Sequence, residues 1–127
     1  MSHPKPLQVP GMNPAGHYSP GVVHGGLVYV SGQLSIRPGD AERRLGTVEE
    51  QTEVALGNVE AVLRAAGSSM DRVIQMTIYV SDVAHWPLVN TAYARIMGDH
   101  KPARAIVPVP ALNHGCALEI QAIAAVG

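Results

Sequence analysis

Residues 47–80 read TVEEQTEVALGNVEAVLRAAGSSMDRVIQMTIYV, an amphipathic helix pattern followed directly by a strand pattern. Apolar residues recur at helical spacing across residues 47–66, and Thr47 with Glu50 forms a capping-box signature at the start. Val73–Val80 then alternates its side chains between two faces and is rich in β-branched residues, which predicts a strand. The segment therefore predicts a fold in which a helix packs against a sheet.

The flanking sequence carries four further patterns of regular structure. They are two short strands around a Gly-Gly turn at residues 22–30, a helix at 81–97, and strands at 105–109 and 117–126. Ser31-Gly32-Gln33 is expected to interrupt the first pair, and the prolines of residues 1–16 predict an extended arm. The predicted order is β-β-α-β-α-β-β in one domain spanning residues 1–127. Two helices covering one side of a mixed sheet suit this order, so the predicted class is α+β.

Composition and charge narrow the possible classes of protein. The chain has 127 residues, of which 46% are hydrophobic and 15% charged, and this balance excludes extensive disorder. A mean hydropathy of +0.10 favours a buried subunit interface. A net charge of −1 and a pI near 6.6 argue against nucleic-acid binding. One cysteine excludes an intramolecular disulfide, and no apolar run predicts a signal peptide or membrane span, so the cytoplasm is expected.

The common catalytic signatures are absent from the sequence. It contains no P-loop, no dinucleotide-binding glycine fingerprint, no HExxH and no GxSxG. The six histidines share no metal-ligand spacing, and the single cysteine cannot form a zinc cluster. No protein-bound metal is therefore expected.

Two charged residues lie among apolar neighbours and are candidates for a binding site. Arg104 precedes the strand at 105–109, and its planar guanidinium suits a carboxylate ligand held by two parallel hydrogen bonds. The alternative is a structural ion pair with Glu119 or Asp99. Glu119 lies inside the last strand, where a buried carboxylate needs a partner or a raised pKa. It would otherwise be an ordinary outward-facing residue.

Seven segments, in order along the chain, carry a resemblance to a known family. They are His17–Gly21, Leu27–Gln33, Glu50–Thr52 with Asn58, Ala65–Asp71, Val89–Asn90 with Tyr93–Ala94, Pro102–Arg104 and Leu118–Ala124. Together they resemble the YjgF/YER057c/UK114 family, also called Rid proteins (reactive intermediate deaminases). The resemblance runs from about residue 13 to the end and depends on the ordered set rather than on one motif.

The resemblance implies both an architecture and a chemistry. The implied fold is chorismate-mutase-like α+β, assembled as a homotrimer with active sites in clefts between subunits. The implied reaction is hydrolysis of reactive enamine and imine intermediates, such as 2-aminoacrylate, to a 2-keto acid and ammonia. The implied partner is a small carboxylate substrate. No metal or organic cofactor is implied, because the intermediate is already activated.

The resemblance also implies residue roles, with Arg104 and Glu119 as the catalytic pair. Arg104 would bind the substrate carboxylate, and Glu119 would order or activate the water beside the leaving nitrogen. The residues implied to line the cleft are Tyr18, Ser31, Gly32, Asn90 and Ile106. Relatives often carry Cys or Thr at position 106, so Ile106 would act through its backbone. His17 and Pro20 also depart from the common residues, which leaves the substrate range open.

Three other functions remain open from the sequence. They are a non-catalytic binder of small keto or amino acids, a deaminase of another substrate such as 2-aminomuconate, and an endoribonuclease. The nuclease is disfavoured, because Arg43-Arg44 is the only adjacent basic pair and no set of stacking aromatic residues accompanies it.

Overall fold

The computed structural model of the protein describes residues 3–127, which form six strands and two α-helices. The elements are β1 (Lys5–Pro6), β2 (Gly21–His24), β3 (Leu27–Leu34), α1 (Val48–Ala65), β4 (Val73–Val80), α2 (Trp86–Met97), β5 (Ala103–Pro108) and β6 (Leu118–Ala125). The strands form one mixed sheet in the order β1-β2-β3-β6-β4-β5, with β4 and β5 parallel and the other neighbours antiparallel. The expected α+β sheet with two helices on one side is confirmed.

Local sequence explains where α1 begins and ends. The Glu50 N–H donates to Thr47 Oγ1 at 3.1 Å, and the Thr47 N–H donates to Glu50 Oε1 at 2.9 Å. This reciprocal pair satisfies two backbone donors that the first helical turn leaves without partners. Gly67 follows the helix with a φ of 78°, a left-handed conformation that glycine adopts without steric cost.

The core lies between the helices and one face of the sheet. Alternate residues of the two central strands are buried there, namely Met76, Ile78 and Val80 of β4 and Leu118, Ile120 and Ala122 of β6. They pack with the buried stripe of α1, which includes Leu56, Val59 and Leu63. The intervening residues point to the opposite face, which no second layer covers within the described residues. This uncovered side is called the open face below.

The structure corrects four expected boundaries. A two-residue strand, β1, forms within the expected arm by pairing with β2, whereas residues 1 and 2 of that arm lie outside the described residues. β3 continues through Ser31-Gly32-Gln33, because a bulge between Val30 and Gln33 absorbs the irregularity. α2 begins at Trp86 rather than at residue 81, after a short 3₁₀ turn capped by Asp82. β5 begins at Ala103, so Arg104 lies inside the strand.

Buried amide side chains of α1 hold the end of β3 and the start of β6. Gln51 Oε1 accepts hydrogen bonds from Ser35 Oγ at 2.9 Å and from the Ala117 N–H at 2.8 Å. Asn58 Nδ2 donates to the carbonyl oxygens of Leu34 and Ile36, at 3.1 and 2.9 Å. These bonds join the helix layer to the part of the sheet that carries Glu119.

No helix among the described residues is both long and apolar enough to cross a membrane.

Replacement of Gln51 by alanine should destabilise the protein. The Ser35 hydroxyl and the Ala117 N–H would lose their shared acceptor in a buried environment, at a cost of about 1–3 kcal/mol for each unsatisfied group. Urea unfolding should therefore show a lower midpoint for Gln51→Ala. The exposed Gln8→Ala control should change stability by less than about 0.5 kcal/mol. Equal midpoints for both variants would contradict this assignment.

Candidate active site

The expected site residues fall into two separate places on the chain. Tyr18, Ser31, Gly32 and Glu119 line a groove of about 1040 Å³ on the open face. Arg104 and Ile106 line a cavity of about 320 Å³ near the free edge of the sheet, together with Val80, Val83, Trp86 and Pro108. Asn90 joins the second group by contacting Arg104 directly. All seven expected residues are therefore in or beside a cavity, but not the same one.

Two residues of α2 hold the guanidinium of Arg104 without neutralising its charge. Asn90 Oδ1 accepts a hydrogen bond from Arg104 Nη1 at 2.9 Å. The guanidinium carbon lies 4.8 Å from the ring centroid of Tyr93, a cation–π distance. Within residues 3–127, Arg104 forms no salt bridge, so the alternative pairing with Glu119 or Asp99 was wrong. The guanidinium is thus positioned and retains donors for an external anion.

The free edge of β5 offers backbone groups beside this guanidinium. The Val109 N–H bonds to the Val80 carbonyl, and alternate residues before Val109 also bond to β4. The intervening Arg104 and Ile106 therefore direct their backbone N–H and C=O groups to the free edge. The backbone groups of Ile106 are therefore accessible beside the guanidinium, and their part in binding stays a prediction.

The bulge in β3 brings the carboxylate of Glu119 against Gly32. A Cβ added to Gly32 would lie 2.9 Å from both Cδ and Oε2 of Glu119, so glycine leaves the room that the carboxylate occupies. Partial burial raises the pKa of Glu119 above its ordinary value of 4.5. Since no cation of the described residues forms a salt bridge with it, the carboxyl group is available for proton transfer.

Ser31 fixes the loop that carries Tyr18. Its Oγ donates to the Ser19 carbonyl at 2.6 Å, and its N–H donates to the Pro20 carbonyl at 2.9 Å. Tyr18 itself is 57% exposed and projects from this loop at the groove. Ser31 therefore has a positioning role that the sequence alone did not indicate, in addition to lining the groove.

Strand geometry separates Arg104 from Glu119 in a single chain. Arg104 is in register with Met76, whose side chain points to the helices, whereas Glu119 is in register with Tyr79 on the open face. β4 lies between their two strands, so the backbones are two strand spacings apart, about 10 Å. A three-carbon substrate therefore cannot contact both side chains of one chain.

Sequence reasoning missed the supporting polar residues. Gln51 and Asn58 lie seven residues apart on α1, which places both on the buried face beside Ala55 and Val62. Polar residues at two positions of an otherwise apolar stripe were the available signal. Their partners, however, are backbone groups and the Ser35 hydroxyl, which only the tertiary fold brings together.

Comparisons with known proteins agree with the α+β fold described above. A RutC family protein of Pyrococcus horikoshii, PH0854, is 38% identical over 111 residues, covering 87% of this chain and 88% of the relative. The 2-iminobutanoate/2-iminopropanoate deaminase of Bos taurus is 36% identical over 112 residues, covering 88% and 82%. A crystal structure of E. coli TdcF with bound serine superposes with a TM-score of 0.87 at 32% identity, covering 97% and 99%.

These likenesses and the geometry define a small α+β protein whose sheet carries two cavities lined by polar residues. The sequence profile described as Endoribonuclease L-PSP matches residues 10–126. The chain belongs to the YjgF/Rid family, as the seven segments suggested.

The raised pKa of Glu119 should make stability depend on pH. The folded protein holds this proton more tightly than the unfolded chain, so the stabilisation is complete below the unfolded value and is lost as pH rises through the folded value. In Glu119→Gln the side chain has no titratable proton to lose, so this loss of stability with rising pH does not occur. Its free energy of unfolding relative to wild type should therefore increase between about pH 4 and pH 7. Urea unfolding at both values tests this, and a pH-independent difference would contradict it.

Proposed function

We propose that the protein is an enamine/imine deaminase that hydrolyses 2-aminoacrylate-type intermediates to 2-keto acids and ammonia. The observation that carries the proposal is the guanidinium of Arg104, held by Asn90 and Tyr93 yet without a carboxylate partner in the described chain. The named activity of the Bos taurus relative and the serine bound to TdcF support a small substrate of amino-acid type.

Arg104 positions the substrate. Its guanidinium binds the carboxylate through paired hydrogen bonds, and the free backbone groups of Ile106 lie beside it. Holding the carboxylate fixes the adjacent reacting carbon relative to the attacking water, which is an orientation effect. Asn90 and Tyr93 reduce the freedom of the guanidinium, so little ordering is left for the binding step.

Glu119 transfers the protons of the reaction. The enamine first takes a proton at carbon and becomes the iminium form. Water then adds to the C=N carbon and gives up a proton, and the nitrogen gains one. As the C–N bond breaks to release ammonia, the hydroxyl loses its proton and the C=O bond of the keto acid forms. A carboxyl group whose pKa is raised by burial gives up and takes back protons more readily than an ordinary carboxylate, a contribution typically worth about 10²–10⁴-fold. Tyr18 covers the groove and donates to the substrate.

The site is completed by a second copy of the chain. Because Arg104 and Glu119 lie on opposite faces, the guanidinium of one subunit meets the carboxylate of its neighbour in a head-to-tail contact. Three such contacts close a ring, the homotrimer that the family resemblance implied. The two parts of the proposed site, the groove at Glu119 and the cavity at Arg104, are called half-sites. Exposed apolar side chains support an interface at both, with Tyr29 and Val107 on the open face and Val83 and Trp86 beside Arg104.

The cytoplasm is the proposed location.

Ribonuclease activity, named in the description of the family profile, is the competing function. Against it stands the slight negative net charge of the chain, since phosphodiester backbones favour positively charged proteins. Strongly salt-dependent RNA binding would favour the nuclease instead.

Mixing two inactive variants should restore activity if the site lies between subunits. Alone, Arg104→Ala should lose about 10²-fold in kcat/KM, and Glu119→Gln about 10²–10⁴-fold. When the two are co-refolded at equal amounts, about a quarter of the sites in a closed ring should join a wild-type Arg104 to a wild-type Glu119. Ammonia release from freshly generated 2-iminopropanoate, corrected for spontaneous hydrolysis, measures the recovery.

The matched control for Arg104→Ala is Arg95→Ala, which replaces an exposed arginine of α2 that pairs with Glu53. It should keep wild-type activity. Activity that stays at the level of the separate variants after mixing would contradict a shared site. Full activity of Arg104→Ala alone would contradict the deaminase mechanism itself.

Substitution of Gly32 should displace Glu119 without unfolding the protein. The added methyl group would occupy the position of the carboxylate, and that flexible group would move away. We expect Gly32→Ala to lower kcat by about 10–100-fold because proton transfer depends on placement. Gly57→Ala is the control, since its new methyl group meets open space. An unchanged kcat for Gly32→Ala would contradict the role of Glu119.

A further inference from the structure

The open-face groove is larger than a three-carbon imine needs. Its volume of about 1040 Å³ matches the upper end of pockets that hold drug-sized ligands. Besides Tyr18 and Glu119, two arginines line it, Arg37 and Arg43, from the loop between β3 and α1. The deaminase mechanism uses neither of them.

Neither arginine has a carboxylate oxygen of the described residues within salt-bridge distance. Within residues 3–127, Arg44, Arg64 and Arg95 form salt bridges, whereas Arg37 and Arg43 form none. The contrast indicates that these two groove arginines keep their charge for another anion.

The acids nearest this loop have other partners. Asp40 Oδ1 accepts the Glu42 N–H and Oδ2 accepts the Arg44 N–H, at 3.2 and 3.0 Å. Glu50 accepts the Thr47 N–H in the capping box of α1. Both carboxylates therefore shape the loop and the helix start. Glu50 attracts Arg37 without a direct ion pair, and both Arg37 and Arg43 line the groove without a salt bridge to any described residue.

The loop holds these arginines in a fixed arrangement. Arg43 has a φ of 52°, in the left-handed region that residues other than glycine rarely adopt. Its N–H donates to the Asp40 carbonyl at 3.1 Å, and the Asp40 N–H donates to the Arg37 carbonyl at 3.0 Å. Backbone strain of this kind persists where surrounding contacts determine it, and it concentrates at ligand-binding positions.

The distance to the reacting centre fits a substrate with a second anionic group. Leu34 lies opposite Glu119 in the sheet register, and Arg37 follows Leu34 by three residues. The strand ends at Leu34 and the chain bends at Ser35, so the backbone of Arg37 lies at most about 10 Å from Leu34. A side chain as long as arginine can reach back across part of that distance toward a carboxylate a few carbons from the imine.

We propose that Arg37 and Arg43 form a second carboxylate-binding site, which selects dicarboxylic enamines and imines as substrates. The inference rests on the proposed deaminase function and adds the substrate class. Arg104 of the neighbouring subunit binds the carboxylate next to the imine carbon, Glu119 transfers the protons there, and the loop arginines bind the distal carboxylate.

The kinetic test compares a dicarboxylic imine with a monocarboxylic one. An amino-acid oxidase generates 2-iminoglutarate or 2-iminobutanoate in the presence of the protein. In the double variant Arg37→Gln/Arg43→Gln, kcat/KM for 2-iminoglutarate should fall about 10- to 100-fold, as expected for lost hydrogen bonds to a charged group. Hydrolysis of 2-iminobutanoate should change less than about twofold, because a monocarboxylate cannot contact the loop. Arg44→Gln, which removes an exposed paired arginine, is the matched control.

A binding test separates this inference from the proposed function. Calorimetry measures 2-oxoglutarate and 2-oxobutanoate, the keto acids of the two imines, with and without inorganic phosphate. Tighter binding of 2-oxoglutarate that disappears in the double variant supports the second site even if no imine is hydrolysed, which would overturn only the deaminase function. Hydrolysis of both imines with no effect of the double variant overturns the second site alone. Phosphate that displaces 2-oxoglutarate at lower concentration overturns the carboxylate assignment.

Discussion

Alternation of side chains across neighbouring strands separates the two charged residues on which the proposed chemistry depends. Register through β4 assigns Arg104 to the helix side of the sheet and Glu119 to the open side. A shift of one residue in either strand would move the charge to the other face and expose core residues instead. Because the core fixes the register, it also keeps Arg104 and Glu119 on opposite faces of the sheet. A small substrate that must contact both groups cannot reach them in one chain and therefore needs two chains. Assembly is for this reason part of the proposed mechanism.

The same core supports the open-face half of the site. Asn58 holds the Leu34 carbonyl, and Leu34 is the register partner of Glu119. On the other side, the bulge at Gly32 provides the space that the Glu119 carboxylate fills. The carboxylate is thus confined between a strand end fixed by the helix and a bulge without a side chain. Confinement removes water and raises the pKa of Glu119, so its stability cost and its proposed role in proton transfer have one physical origin.

The sequence predicted the elements with strong periodicity and the residues that carry charge among apolar neighbours. The capping box of α1 and the alternation in β4 needed no tertiary information, and both are present. The continuation of β3 through Gly32 was missed, because a bulge is stabilised by its partner strand β6 rather than by local preference. The extension of β5 to Arg104 likewise depends on pairing with β4. That pairing, together with α2, explains why Arg104 contacts Asn90 and Tyr93 rather than an acid.

Exposed apolar side chains on the single chain account for part of the apolar surplus of the composition. A chain of this length cannot bury all its apolar side chains by itself, and Tyr29 and Trp86 remain 43% and 49% exposed. Tyr29 is on the open face and Trp86 lies beside Arg104, so covering them in the proposed trimer would also bring the two half-sites together. Association driven by apolar contact would at the same time exclude water around the guanidinium. Since a carboxylate binds a guanidinium more strongly in a drier environment, the interface would strengthen the interaction that holds the substrate.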